Sequence, residues 1–219
     1  MNPSYTHITI ILDRTGSMAE IREDTISGFN TFLAEQKAVE GEATLTLVQF
    51  DSQDPYEMLQ HFTQIEEVPE LTSETYIPRA ATPLLDALGR GINDLAASLA
   101  KLPDAARPAK VVFAVITDGL ENASTEFTSA QIIRMITEKQ QREKWQFVFL
   151  SADLDAIAEA CAHGFDARRT RYFDKTGKGT RDGWRHMSAC MSVYRKGDTD
   201  EMTLAPDDDT SDAKRGDKS

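Results

Sequence analysis

Four stretches of the chain, residues 8–12, 45–50, 111–116 and 147–150, are largely apolar and lack the strict alternation of a strand with one wet face. Strands of that composition need cover on both sides, which a parallel sheet between helices supplies. The intervening segments carry matching helical patterns. Met18, Ile21, Thr25, Phe29 and Phe32 recur at spacings of three and four, as do Leu85, Leu88, Ile92, Leu95, Leu99 and Leu102. Ile132, Ile133 and Ile136 mark a third helix, capped by Thr128 or Ser129. A short fourth spans residues 155–163, before Gly164. A last one shows Trp184, Met187, Met191 and Tyr194, with the first three read as core rather than as a docking stripe. Residues 56–62 follow the second strand too closely for a crossover helix, so they are expected to pair antiparallel with it at an edge. Residues 171–173 are a candidate sixth strand. The order predicts an α/β three-layer, Rossmann-like sandwich, its sheet mostly parallel with one antiparallel edge strand and helices on both faces.

One domain is expected over residues 1–196. From Gly197 the chain turns polar and acidic, and a disordered tail is expected over 197–219. Residues 64–81, with Pro69 and Pro78, read as a long loop of the kind that often carries function. The net charge is −12, of which residues 196–219, with eight acidic and four basic side chains, supply −4; the body is acidic too. A nucleic-acid partner needs basic surface, so none is expected. No segment reaches the roughly 20 apolar residues of a membrane span, and the N-terminus lacks a leader pattern. No membrane partner and a cytoplasmic location are therefore expected. Cys161 and Cys190 have no CxxC spacing and read as reduced, mostly buried thiols rather than zinc ligands.

Open parallel sheets bind ligands beyond the carboxyl ends of their strands, where the strand order reverses. There the segment IILDRTGSMAEI places Asp13, Thr15 and Ser17, one carboxylate and two hydroxyls in step. Asp118, in VITDGLEN, ends the strand at 111–116. If the reversal lies between these two strands, both carboxylates face one crevice. Thr82, in AATPLLDAL, precedes a strong helix with Pro83 in its first turn. Two carboxylates and three hydroxyls suit a hard cation, and magnesium binds oxygen at about 2.0–2.1 Å with only one or two carboxylates and several waters. Neutral hydroxyls leave much of its charge uncompensated, so it can attract a further carboxylate from outside. Taken singly, Ser17 and Thr82 serve equally as helix N-caps, and Asp118-Gly119 as an ordinary turn. Only their joint placement points to a metal.

The strings DRTGSM, TPLLDAL and ITDGLENAS resemble the three loops of the metal-ion-dependent adhesion site (MIDAS) of von Willebrand factor type A domains, most of all in bacterial intracellular members. That family's pattern is Asp-x-Ser-x-Ser, then a Thr, then an Asp; the matching positions are Asp13, Thr15, Ser17, Thr82 and Asp118. Thr15 stands where Ser is usual, and Ala80 and Ala81 where glycine is frequent, which would tighten that loop. The resemblance implies that Thr15, Ser17 and Thr82 bind Mg2+ (or Mn2+ or Ca2+) directly or through water, with Asp13 and Asp118 often acting through water. It also implies a non-enzymatic module that captures an Asp or Glu of a protein partner. An AAA+ ATPase and an operon-encoded protein are among the partners it suggests.

The alternative is a Mg2+-dependent phosphatase-like hydrolase of Rossmann-like fold. That chemistry needs a nucleophilic Asp and a second Asp two residues on, where this chain has Thr15. The string FDKTGKGT, residues 173–180, is reminiscent of a P-loop, but Tyr172 stands where its first Gly belongs and Gly179 where Ser or Thr belongs. It reads as a solvated loop. His7, His61, His163 and His186 show no base–nucleophile spacing, and Asp51 and Asp153 receive no role. Asp207–Asp209, on the tail, are carboxylates that could fill the metal's open position from within.

Overall fold

Six strands form one sheet in the order β3-β2-β1-β4-β5-β6. They are β1 (Asn2–Asp13), β2 (Ala43–Phe50), β3 (Glu57–Gln64), β4 (Pro108–Thr117), β5 (Gln146–Ser151) and β6 (Thr170–Tyr172). The computed structural model describes residues 2–204, with side chains from Ser4 onward. All neighbours run parallel except β2 and β3, so β3 is the expected antiparallel edge. The chain winds outward from β1 through β2 to β3, then returns to β4 on the other side of β1 and winds out to β6. The order therefore reverses between β1 and β4, as the two-carboxylate crevice requires.

Five α-helices cover the faces: α1 (Arg22–Lys37), α2 (Leu84–Lys101), α3 (Ser129–Glu143), α4 (Leu154–Ala162) and α5 (Gly177–Lys196). Alternate residues of β1 feed two cores. Ile8, Ile10 and Leu12 pack with α1 and α5, and Ile11 packs with α2, α3 and α4. Burial on both faces explains why the central strands lack polar alternation. Trp184, Met187 and Met191 are buried against α1. The Trp184 ring lies so close to Gly28 that a Cβ there would come within 2.3 Å of it, so α1 and α5 can approach only at a glycine. Thr128, not Ser129, caps α3, in a reciprocal box with Gln131. Among the described residues no helix is long and apolar enough to cross a membrane. Cys161 and Cys190 are half-buried thiols not joined to each other.

One expectation needs correction, and a second segment shows contacts that its composition did not announce. The pattern that starts at Met18 is not one α-helix: Gly16–Ile21 form a 3-10 turn, and α1 begins at Arg22. The Gly16 N–H is drawn to the carbonyl of Ala80, 3.1 Å away, and Met18 N–H bonds back three residues to Thr15. In the stretch 197–204, read as the start of a polar tail, residues 197–201 are exposed but two apolar side chains pack on the body. Met202 and Leu204 are each 1 % exposed, Leu204 N–H donates to Arg168 O at 2.7 Å, and Arg169 Nε donates to Met202 O at 2.9 Å. Two apolar side chains in a polar run are too few to register as periodicity. Asp207–Asp209 lie outside the described residues. The 64–81 segment is long, as expected, but Ile65, Val68, Leu71 and Tyr76 anchor it in the core.

Candidate metal centre

Asp13 leaves the carboxyl end of β1, and its buried side chain is held by two donors. Thr15 N–H bonds Oδ1 at 2.6 Å and the Thr117 hydroxyl bonds Oδ2 at 2.5 Å. From below, the Tyr76 hydroxyl donates to the Asp13 carbonyl at 2.7 Å. The Thr15 and Ser17 hydroxyl oxygens lie 3.2 Å apart, and the Ser17 hydroxyl donates to Asp118 Oδ1 at 2.6 Å. Asp13, Thr15, Ser17 and Asp118 are thus linked across two adjacent strand ends, Asp13 to Thr15 through the main-chain N–H and the rest through side-chain oxygens.

Thr82 stands on a second loop that is bonded to both the first and the third. Its N–H donates to Asn122 Oδ1 at 2.8 Å, and Asn122 N–H returns a bond to its carbonyl at 3.1 Å. Arg79 N–H bonds Arg14 O at 2.8 Å, and Gly16 N–H bonds Ala80 O at 3.1 Å, tying this loop to the first. Ala80 pays a conformational cost for that register, with φ at +59°, in the left-handed region that disfavours a Cβ. The first turn of α2 takes its caps from the third loop: Leu85 N–H donates to Glu121 and Asp86 N–H to Ser124. Asp86 in turn accepts from the N–H groups of Thr125, Glu126 and Phe127.

These bonds dispose of capping as the explanation for the hydroxyls. Thr15 stands at the N-cap of the 3-10 turn without a side-chain cap bond, the Ser17 hydroxyl serves Asp118, and Thr82 is displaced as a cap by Glu121 and Ser124. The donor set fits a hard divalent cation, being oxygen throughout with two buried carboxylates and neutral hydroxyls. Burial pushes the Asp13 carboxyl up to about 7; bonds from Thr117 and Thr15 oppose the rise, and the nearby charge of Asp118 adds to it. Burial, with the charges of Asp13 and Asp118, also raises the Tyr76 phenol well above its ordinary value. Among the described residues no group of three or more His, Cys, Asp or Glu is gathered to hold a metal, here or elsewhere, so a cation at this site would depend on the hydroxyls.

Three contributors escape sequence reasoning. Arg14, the variable residue between Asp13 and Thr15, is buried. It donates from Nε to Asp51 at 2.6 Å and from Nη1 to Gln49 at 3.1 Å, and pairs with Glu57. Arg79 adds a bond to Asp51 at 3.0 Å, so Asp51 fastens the first loop to the second. Burial alone would raise the Asp51 carboxyl, but bonds from Arg14, Gln53, Arg79 and Asp54 outweigh it and hold it below its ordinary value. Lys175, from the FDKTGKGT string, places Nζ 2.9 Å from Asp118 Oδ2 and 3.3 Å from Glu20 Oε2. Burial would lower the Lys175 ammonium, but Asp118 and Glu20 raise it. Strand-end position was the only signal for Asp51; nothing local marks Arg14 or Lys175.

No protein-family model matches the sequence, and no curated protein matches it. Solved structures resemble its fold. A von Willebrand factor type A structure from Catenulispora acidiphila aligns at TM-score 0.57 and 14% identity, over 85% of this chain and 42% of that one. Proximal thread matrix protein 1 from the mussel byssus, solved with a zinc-occupied MIDAS motif, aligns at 0.59 and 11%, over 88% and 47%. The pilus adhesin SpaC from Lactobacillus rhamnosus GG, in its open conformation, aligns at 0.64 and 11%, over 89% and 30%. The chain thus spans less than half of each of these proteins. The likeness is one of fold, the Rossmann-like sandwich of von Willebrand factor type A domains.

Proposed function

We propose that the chain is a non-enzymatic, cation-dependent protein-binding module. Mg2+, or Mn2+ or Ca2+ in its place, is held by Thr15, Ser17 and Thr82, with Asp13 and Asp118 supporting it through water. The cation keeps one position open for an Asp or Glu carboxylate of a partner protein, for which an AAA+ ATPase or an operon-encoded protein is the candidate. We place it in the cytoplasm, a setting that the motifs' resemblance to intracellular members supports.

One observation carries this reading: the hydrogen-bonded series from Asp13 through Thr15 and Ser17 to Asp118, at the point where the strand order reverses. Two others support it. The mussel protein of the same fold has metal at a site of this type. Exposed apolar side chains stand at the same edge of the sheet: Ile77 in the second loop, Leu120 beyond Asp118, Leu154 after β5 and Tyr172 at the end of β6. Such residues offer a partner apolar surface. The test is affinity capture from cell extract by the intact chain with Mg2+, with EDTA, and with the Asp13→Ala chain. A partner retained only by the unaltered chain with Mg2+ is expected. A partner retained equally under all three conditions rules out the metal bridge.

A further inference from the structure

Lys175 lies between β6 and α5 on a backbone that is fixed on both sides. Phe173 is buried in the core and its N–H donates to Ser151 O at 2.9 Å. Thr176 N–H donates to Asp174 O at 2.7 Å, and the Thr176 hydroxyl caps α5 by accepting from Gly179 N–H at 3.1 Å. A Cβ at Gly179 would fall 2.2 Å from Asp174 O, so this turn is closely folded. Freedom remains in the lysine's four-carbon stem.

The ammonium sits between two unlike acids. The Asp118 side chain is fully shielded, whereas the Glu20 side chain is 78 % exposed. An ion pair between two wet side chains contributes little, but a carboxylate removed from water needs its charge met. Asp118 already spends Oδ1 on Ser17, and its Oδ2 faces Lys175. The carboxylate that the proposed metal would use is therefore committed to a cation belonging to the chain itself.

We infer that Lys175 sets the cation affinity of the site, its ammonium competing with the divalent ion for Asp118 and turning to Glu20 when the ion binds. This rests on the metal-site reading given above. A divalent ion near Asp118 and an ammonium on the same carboxylate repel at short range. Glu20 offers the displaced charge a seat within reach, so the exchange needs no backbone movement. Lys175 thereby sets a threshold: the site fills only at cation concentrations high enough to move the lysine.

Mn2+ affinity, measured by electron paramagnetic resonance on the intact chain, tests this without any partner. K175Q and K175M are expected to bind Mn2+ about tenfold more tightly or better. E20Q is expected to weaken binding severalfold, and to do much less when combined with K175Q, because the seat then has no occupant. Mn2+ binding to K175Q and K175M no tighter than to the unaltered chain overturns the role of Lys175 and leaves the metal site standing. No Mn2+ binding by any of these chains ends both.

Discussion

Strand β1 carries a buried polar cluster at each end, and the two are built on opposite terms. Near its start, Tyr5, His7 and Thr9 meet Thr44 of β2. The Tyr5 hydroxyl and His7 Nδ1 lie 2.7 and 2.8 Å from Thr44 Oγ1, and His7 Nε2 lies 3.1 Å from Thr9 Oγ1. Phe62 stacks on the imidazole, ring centroids 3.8 Å apart. Both ring nitrogens are occupied and the cluster is neutral, because burial, helped by His61, pushes the His7 pKa down to about 3. At the other end, Asp13 and Asp118 bring two buried carboxylates together, and Lys175 is the cation in direct contact among the described residues. A polar cluster that serves packing closes its bonds on itself and carries no charge. The cluster at the carboxyl end instead gathers ionisable groups: burial pushes the Asp13 carboxyl up to about 7, and Asp118 is met by Lys175.

The comparison breaks most sharply under substitution. Asp13→Ala is expected to weaken Mn2+ binding about a hundredfold or more, whereas His7→Ala leaves it unchanged; titration of both chains by paramagnetic resonance decides. The stability effect runs the other way. His7→Ala removes the stacked ring and its bonds to the Thr44 and Thr9 hydroxyls, a loss of about 2–4 kcal/mol in urea unfolding at neutral pH. Unchanged stability would mean that the amino-end cluster is not a packing device.

Acid separates the clusters again. The folded state keeps His7 neutral down to about pH 3, while the unfolded chain protonates it near 6.5. Protons therefore favour the unfolded state in that window. The contribution of neutral His7 is fully present above pH 6.5 and is lost as the pH falls toward 3, by up to about 1.4 kcal/mol per pH unit. His7→Gln is expected to flatten that part of the stability profile. The smallest effect is at Ala80. With φ at +59°, Ala80→Gly relieves a left-handed residue and is expected to change stability by no more than about 1 kcal/mol, in the stabilising direction. Thermal unfolding reads it, and a clear loss would show that the alanine methyl is needed for packing.

The architecture was legible because burial on both faces leaves its mark in consecutive residues: the four apolar runs all became central strands. The antiparallel edge followed from chain length, since too few residues separate Phe50 from Glu57 for a crossover helix. The candidate site was read from three strings, but the contacts that tie those strings together were not. Arg14 with Asp51, Asn122 with Thr82, and Lys175 with Asp118 are pairings between distant segments that no local spacing encodes. The 3-10 start of the first helical stretch and the burial of Met202 and Leu204 escaped for the same reason. Each depends on a partner from another part of the chain: Ala80 for the turn, and Arg168 with Gln146 for the terminal segment.

The reciprocal bonds between Thr82 and Asn122, with Glu121 and Ser124 capping α2 and Asp86 gathering three N–H groups of the third loop, have a practical corollary. The second and third loops cannot be swapped separately between proteins of this fold. Grafting a new binding rim onto this scaffold would mean transplanting residues 79–86 and 118–127 as one cassette, because either half alone would arrive with its hydrogen bonds addressed to a loop left behind.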